Sequence, residues 1–215
     1  MGECRQIIEV LPRVRWAEVV VLENNEPIEP LLQNERIMLL APEVLLRKTV
    51  TEMIISAANY LPSEYSLGVI EGVRSMEKQI LRWNEVCARL KTEFPEHPEH
   101  FIEKQAGLLV ARPTVLANHN CGGAVDVCLL RASTGERLDM GTPPQSGCDY
   151  MRSRMFSDLI TAEQKSNRTI LREAMVVAGF VWYPGEWWHY CYGDRMWAVY
   201  SDKSDCFYGP IQDIV

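Results

Sequence analysis

Four histidines occur in this 215-residue chain, and two of them keep company that suggests chemistry. His119 opens the string His119-Asn120-Cys121-Gly122-Gly123-Ala124-Val125-Asp126, and His189 closes Glu186-Trp187-Trp188-His189. Imidazole nitrogen and carboxylate oxygen are zinc ligands, and a catalytic zinc site keeps three protein ligands and one position for water. His119, Asp126 and His189 would make such a set for one zinc ion. The two glycines between the first pair let the chain turn tightly and leave a metal uncrowded. Glu186 suits another task, taking a proton from activated water and passing it to a leaving amine. Residues at i and i+3 of a regular strand face opposite sides. Glu186 and His189 therefore reach one site only if their segment twists or ends in a turn. By spacing alone, the two histidines read equally well as ordinary core residues, one of them beside two tryptophans. His97 and His100, in a polar, proline-broken stretch, read as solvated.

The elements that would position these groups are legible from periodicity. Residues 16–22 (WAEVVVL) read as a Val-rich strand. Apolar spacing predicts a helix over 42–60, stopped by Pro62, and another over 75–94 through Met76, Ile80, Leu81, Trp83 and Leu90. Residues 65–70 and 124–130 read as buried strands, the second carrying Asp126. A break at 95–101 precedes a shorter helix, and 111–117 reads as loop. Residues 133–136 form a turn, and 141–147 a longer loop with two prolines. Thr161 could cap a helix that ends at Gly179. Residues 186–190 and 196–200 read as two further strands. The pattern is α+β, helices mostly first and an antiparallel sheet mostly last.

Composition narrows the class. Hydrophobic residues at 47% and charged residues at 24% are ordinary globular usage, which excludes a disordered or fibrous chain. A formal charge of −7 argues against a nucleic-acid partner, since phosphate binding is driven by Lys and Arg. No stretch is apolar for long enough to cross a bilayer, and the first residues lack a secretory leader's pattern. Seven cysteines, an odd number with no CxxC pair, read as reduced thiols of a cytoplasmic protein rather than a disulfide framework. Cys121 and Cys191, each two residues after a candidate ligand, read as small buried hydrophobes.

The pair His119-x-x-Gly122-x-Ala124-x-Asp126 and Glu186-x-Trp188-His189 resembles the signature of the zinc D-Ala-D-Ala dipeptidases, relatives of the vancomycin-resistance dipeptidase. The likeness continues in Glu71-Gly72-Val73-Arg74-Ser75, in Leu138-Asp139-Met140-Gly141-Thr142-Pro143, in Asn167-Arg168 with Leu171-Arg172, and in Tyr192-Gly193-Asp194-Arg195 and Tyr208-Gly209-Pro210. It runs from about Trp16 to the C-terminus. The resemblance implies that His119, Asp126 and His189 bind zinc, that Glu186 is the base, and that Arg74 steadies the oxyanion. It puts Trp188, Ala117 and Gln145 on the substrate side. Ala117 stands where the resistance enzymes carry Ser. Pro144-Gln145 stands where relatives carry Phe-Asp, whose aspartate holds the substrate's amino group; Asp149 or Glu136 could take over that role. The implied protein is one metallopeptidase domain over 1–215, with 1–15 as a peripheral segment and a zinc-carrying antiparallel sheet packed by helices. Its expected partner is a small dipeptide. A peptidoglycan metallo-carboxypeptidase, or an inactive zinc- or ligand-binding module on the same fold, are the alternatives.

Overall fold

The computed structural model describes residues 14–114, 118–145 and 149–211. Its strands are β1 (Val20–Val21), β2 (Ile28–Pro30), β3 (Ile37–Leu39), β4 (Leu45–Arg47), β5 (Tyr65–Glu71), β6 (Ala124–Arg131), β7 (Val181–Trp182), β8 (His189–Cys191) and β9 (Asp205–Cys206). Its helices are α1 (Val14–Ala17), α2 (Lys48–Tyr60), α3 (Met76–Glu93), α4 (Glu99–Leu109), α5 (Tyr150–Ser153), α6 (Ala162–Val177) and α7 (Arg195–Tyr200), with a 3-10 turn at Asn118–Cys121.

The α+β class holds, but the sheet is not purely antiparallel. Five strands run in the order β3-β5-β6-β8-β7, and β3 lies parallel to β5 while the other neighbours are antiparallel. Nor do helices simply precede the sheet, since β2 to β5 come before α3. Strand β6 sits in the middle, and its first seven residues are buried. A strand covered on both faces needs an unbroken apolar run, and Asp126 is the one charge set into it. On one side, α2 and α6 pack Val50, Ile54 and Ala57 with Leu171, Ala174 and Met175 into the main core with Leu67, Val69, Val127 and Leu129. Helices α3 and α4 close a smaller core of their own around Trp83, Leu90, Ile102 and Ala106.

Four expected elements differ, and one of them, the strand read over 186–190, pairs only from His189 to Cys191. Of residues 16–22, only Val20–Val21 pair, alongside Asp205–Cys206. Trp16 instead lies in a helical turn, edge-on to Tyr183 with ring centroids 6.2 Å apart, and its carbonyl accepts from Arg195 Nη1 at 2.9 Å. The helix expected over 42–60 begins only at Lys48, because Leu45–Arg47 pair antiparallel with Ile28–Pro30 and Arg47 is drawn inward. Its guanidinium donates to the carbonyls of Cys121 at 2.9 Å and Glu26 at 2.6 Å. Residues 195–200 are helical rather than extended. Asp194 caps them by accepting from the Trp197 amide at 2.7 Å, and the alternate burial of Met196 and Ala198 explains why the pattern resembles a strand.

Helix α6 forms as expected, with a complete capping box between Thr161 and Gln164. Gly179 follows it with φ +101°. Thr161→Ala removes one half of that box and should cost about 1 kcal/mol. For a chain of this size that corresponds to a fall of about 2–4 °C in melting temperature. A calorimetric scan of the variant checks this, and an unshifted transition would show that the box contributes nothing.

Candidate metal centre and catalytic site

The site is built by strand register. Asp126 pairs across to His189 on one side and to Glu71 on the other. Directly opposed residues of antiparallel strands share a face, so all three side chains emerge together. The pairing with Glu71 depends on a bulge: Val69 pairs with Val127 and Glu71 with Asp126, leaving one extra residue on β5. Without that bulge Ile70 would oppose Asp126.

His119 arrives from the 3-10 turn before β6. The carbonyl of Gly72 accepts from its Nδ1 at 2.8 Å, the His119 carbonyl accepts from the Arg74 amide at 3.0 Å, and Asn120 Nδ2 donates to the Arg74 carbonyl at 2.6 Å. Bonding at Nδ1 turns Nε2 inward as an acceptor, the usual way a ligand histidine is oriented. Gly122 takes φ +76° to make the turn into β6. Gly123 is needed for a different reason than an uncrowded metal, because a Cβ there would lie 2.3 Å from the Tyr192 carbonyl.

The result is a buried cluster. Asp126 Oδ1 lies 3.3 Å from His119 Nε2 and 2.9 Å from His189 Nδ1, and the two imidazole centroids are 4.9 Å apart. One ligand atom from each residue falls within 4.8 Å of the other two, the separation that donors around a single cation require. Burial alone would raise the Asp126 carboxyl, but the His119 and His189 imidazoles outweigh it and hold it well below the ordinary carboxylate range. Nitrogen and oxygen donors in this number suit zinc.

Glu186 and His189 meet the requirement set by their spacing through a turn. Glu186 lies beyond the end of β8, with its amide donating to the Tyr183 carbonyl at 3.2 Å and its carbonyl accepting from the His189 amide at 3.4 Å. It lines the same cleft as His119, Asp126 and His189, as do Arg74, Gln145 and Trp188. Arg74 is buried and forked onto Glu71, with Nε 2.9 Å from Oε1 and Nη2 bonded to Oε2. A third bond runs from Nη1 to Gln79 Oε1 at 2.7 Å, and Nη2 stands 4.0 Å from Asp126 Oδ2. Gln145 faces Asp126 and Glu71 through its amide nitrogen. Ala117 lies outside the described residues. Glu136 is in the exposed turn after β6, bonded to Thr134, and Asp149 caps α5; neither lines the cleft. Cys121 and Cys191 are buried free thiols, and burial raises both well above the ordinary thiol range.

Several site residues carry no motif of their own. Trp16, Tyr183 and Met196 form an apolar wall, and Arg82 reaches in from α3. Arg168 holds the loop before Gln145 from behind, donating to the carbonyls of Met140 at 2.8 Å, Arg154 at 2.6 Å and Arg152 at 2.9 Å. Arg168 already stood in the family resemblance through Asn167-Arg168, and both residues fall on the buried stripe of α6 beside Leu171.

A buried His–Asp–His cluster with a carboxylate and a guanidinium on the same cleft is the architecture of a metal-binding site with acid–base groups at hand. The chain belongs to the Peptidase_M15 family, described as D-ala-D-ala dipeptidase, which it matches over residues 7–209. It is 30% identical to the D-alanyl-D-alanine dipeptidase of Enterococcus faecalis (strain ATCC 700802 / V583) over 189 residues, 85% of this chain and 87% of that one. A second such dipeptidase, from Enterococcus faecium, is 39% identical over 81 residues, 37% of this chain and 38% of its own length. Among solved structures, VanYB in complex with D-alanine-D-alanine is similar at TM-score 0.49 and 16% identity, covering 87% of this chain and 94% of that chain.

Glu71 supplies a test of the electrostatics. Burial would raise its carboxyl, but the bonds from Arg74 and the charge of His119 hold it below its ordinary value of 4.5. A carboxyl with a lower pKa when folded binds fewer protons folded than unfolded, so its stabilisation is present above 4.5 and lost as pH falls below it. The metal-free protein should therefore lose stability on acidification through that range, and Glu71→Gln should lose less. Urea midpoints across the pH series decide; a variant as steep as the parent would assign the acid loss elsewhere.

Proposed function

We propose that this chain is a zinc-dependent dipeptidase that hydrolyses D-alanyl-D-alanine or a similar D-amino-acid dipeptide, within one metallopeptidase domain over 1–215. The observation that carries the reading is the convergence of His119 Nε2, Asp126 Oδ1 and His189 Nδ1 in a cleft that Glu186 and Arg74 also line. These three residues would hold one zinc ion. Bound there, the ion supplies Lewis-acid polarisation of a carbonyl and a water made acidic enough to ionise near neutral pH.

Glu186 accepts the proton of the attacking water and returns it to the departing amine. It can do both because it stands at the cleft wall, outside the ligand set. Arg74 donates toward the oxygen on which negative charge develops. Its fork onto Glu71 fixes the guanidinium in advance, so little reorganisation is needed as the charge appears. Trp188, with Trp16, Tyr183 and Met196, supplies an apolar wall that excludes water and limits the length of the substrate. Ala117 and Gln145 belong to the substrate side in this reading. The proposed setting is the cytoplasm, supported by the free thiols of Cys87, Cys121, Cys128, Cys191 and Cys206.

The test is alanine release by the zinc-loaded protein from D-Ala-D-Ala, from its L,L isomer and from a pentapeptide ending in D-Ala-D-Ala. Release from the D,D dipeptide alone is expected. Release from the pentapeptide would point instead to a carboxypeptidase, and no release with zinc bound to a binding module. Glu186→Ala should lower kcat by about 10²–10⁴-fold with zinc content unchanged, whereas His119→Ala should lose the metal itself. Arg74→Ala should cost about 10²–10³-fold in kcat. Undiminished turnover in Glu186→Ala would remove it from the mechanism.

A further inference from the structure

We infer that Gln145 is a positioning residue for the metal centre, its side-chain amide locking the outer oxygen of Asp126 so that the inner oxygen faces the two imidazoles. The inference rests on the zinc-site reading above and goes beyond it by giving this residue a role in holding the metal.

The two oxygens of Asp126 are divided between different partners. Oδ1 meets His119 Nε2 and His189 Nδ1 at 3.3 and 2.9 Å, while Oδ2 accepts from Gln145 Nε2. A carboxylate is free to turn about its last bond unless both oxygens are engaged, and turning would carry the ligand oxygen away from the imidazoles. The amide stops this. Its nitrogen has two hydrogens, and both are used, one on Asp126 Oδ2 and one on Glu71 Oε2 at 2.6 Å.

The amide's orientation is itself set. Arg82 Nη1 donates to Gln145 Oε1 at 3.2 Å and Arg82 Nη2 to the Gln145 carbonyl at 3.1 Å. A guanidinium has no acceptor, so it selects the oxygen end of the amide and leaves the nitrogen end for the acids. Arg82 also reaches Glu71 Oε2 at 3.4 Å, which ties the same group of side chains to α3. The backbone is committed as well: Gln145 has φ +58°, a conformation uncommon outside glycine and costly unless its surroundings hold it.

A neutral donor is the chemistry this place requires. Glutamate would keep the length and the bond from Arg82, but it would set a third carboxylate beside Asp126 and Glu71 with no hydrogen to offer either. Alanine would leave Asp126 Oδ2 without the amide. Partners of this kind around a metal ligand are worth about 10–100-fold in metal affinity.

The experiment measures the zinc dissociation constant of the full chain by competition with a chromophoric chelator, for the parent, Gln145→Glu and Gln145→Ala. Melting of the metal-free proteins is followed in parallel. Both variants should bind zinc at least about tenfold more weakly while melting as the parent does. Parent-like affinity in Gln145→Glu would overturn the inference, because that variant keeps the Arg82 contacts and would show that residue 145 merely anchors its loop. Weaker binding matched by a lower melting temperature in both variants would overturn it too, as general loosening. A parent that takes up no zinc overturns the site reading and this inference together; zinc bound equally by all three overturns this inference alone.

Discussion

An ionised carboxylate inside a sheet strand covered on both faces is costly unless every oxygen is answered. Asp126, near the start of β6, is 2% exposed, and most of the site can be understood as the answer to that burial. One oxygen is shared by two imidazoles and the other takes an amide, with the Arg74 guanidinium 4.0 Å away. Of these partners only His119 is near Asp126 in sequence. Each is brought by a separate structural device: His189 by direct register on β8, Glu71 and Arg74 by the bulge in β5, His119 by a 3-10 turn made possible by Gly122, and Gln145 by a loop that α6 holds from behind. A cluster assembled from so many independent elements exists only when the whole sheet is in register.

The rigidity of the catalytic groups follows from the same economy of contacts. Residues 72–74 dock onto the His119 turn through three main-chain-mediated bonds, so the arginine and the histidine share a mount. Opposite them, Trp187 is buried and donates from Nε1 to Thr142 Oγ1 at 2.9 Å, which joins the Glu186 turn to the loop that ends at Gln145. Arg168, almost fully buried behind that loop, stacks over the Trp187 ring at 5.7 Å while binding three carbonyls. Burial lowers its pKa to about 10, still leaving it charged at neutral pH. Groups held on both sides in this way have little freedom left to lose, the condition that preorganised sites meet.

What the sequence made legible divides along physical lines. Long periodic elements were readable: α3, α6 with its Thr161 cap, and the apolar runs of β5 and β6. His119, Asp126 and His189 stood out as well, from two motifs in a chain poor in histidine and from family likeness, and the fold brings the three together. Short elements set by tertiary contact were not. Residues 195–200 have the alternating apolar pattern of a strand, yet Asp194 caps them into a helix; Leu45–Arg47 follow a helical pattern, yet pairing with Ile28–Pro30 and the inward pull on Arg47 extend them. The bulge that sets Glu71 against Asp126 has no local signature, because it reflects the register of two strands that lie far apart in the chain. Arg82 and Gln79 were invisible as site residues for a similar reason: on a helix they read as an ordinary polar face, and only docking of α3 turns them inward.

Charge balance connects these observations to function. The residues gathered around the cleft carry three carboxylates (Glu71, Asp126 and Glu186) against two guanidiniums (Arg74 and Arg82), besides the two imidazoles. Carboxylates thus outnumber guanidiniums in a poorly hydrated place, an arrangement that favours a divalent cation. Under the proposed function, a divalent cation held there would more than offset that excess. A neutral side chain at residue 145 is part of this balance. An acid there would add to the excess of carboxylates, and a base would oppose the metal. The amide does neither, and its two hydrogens are spent on the acids that would otherwise repel each other across the register.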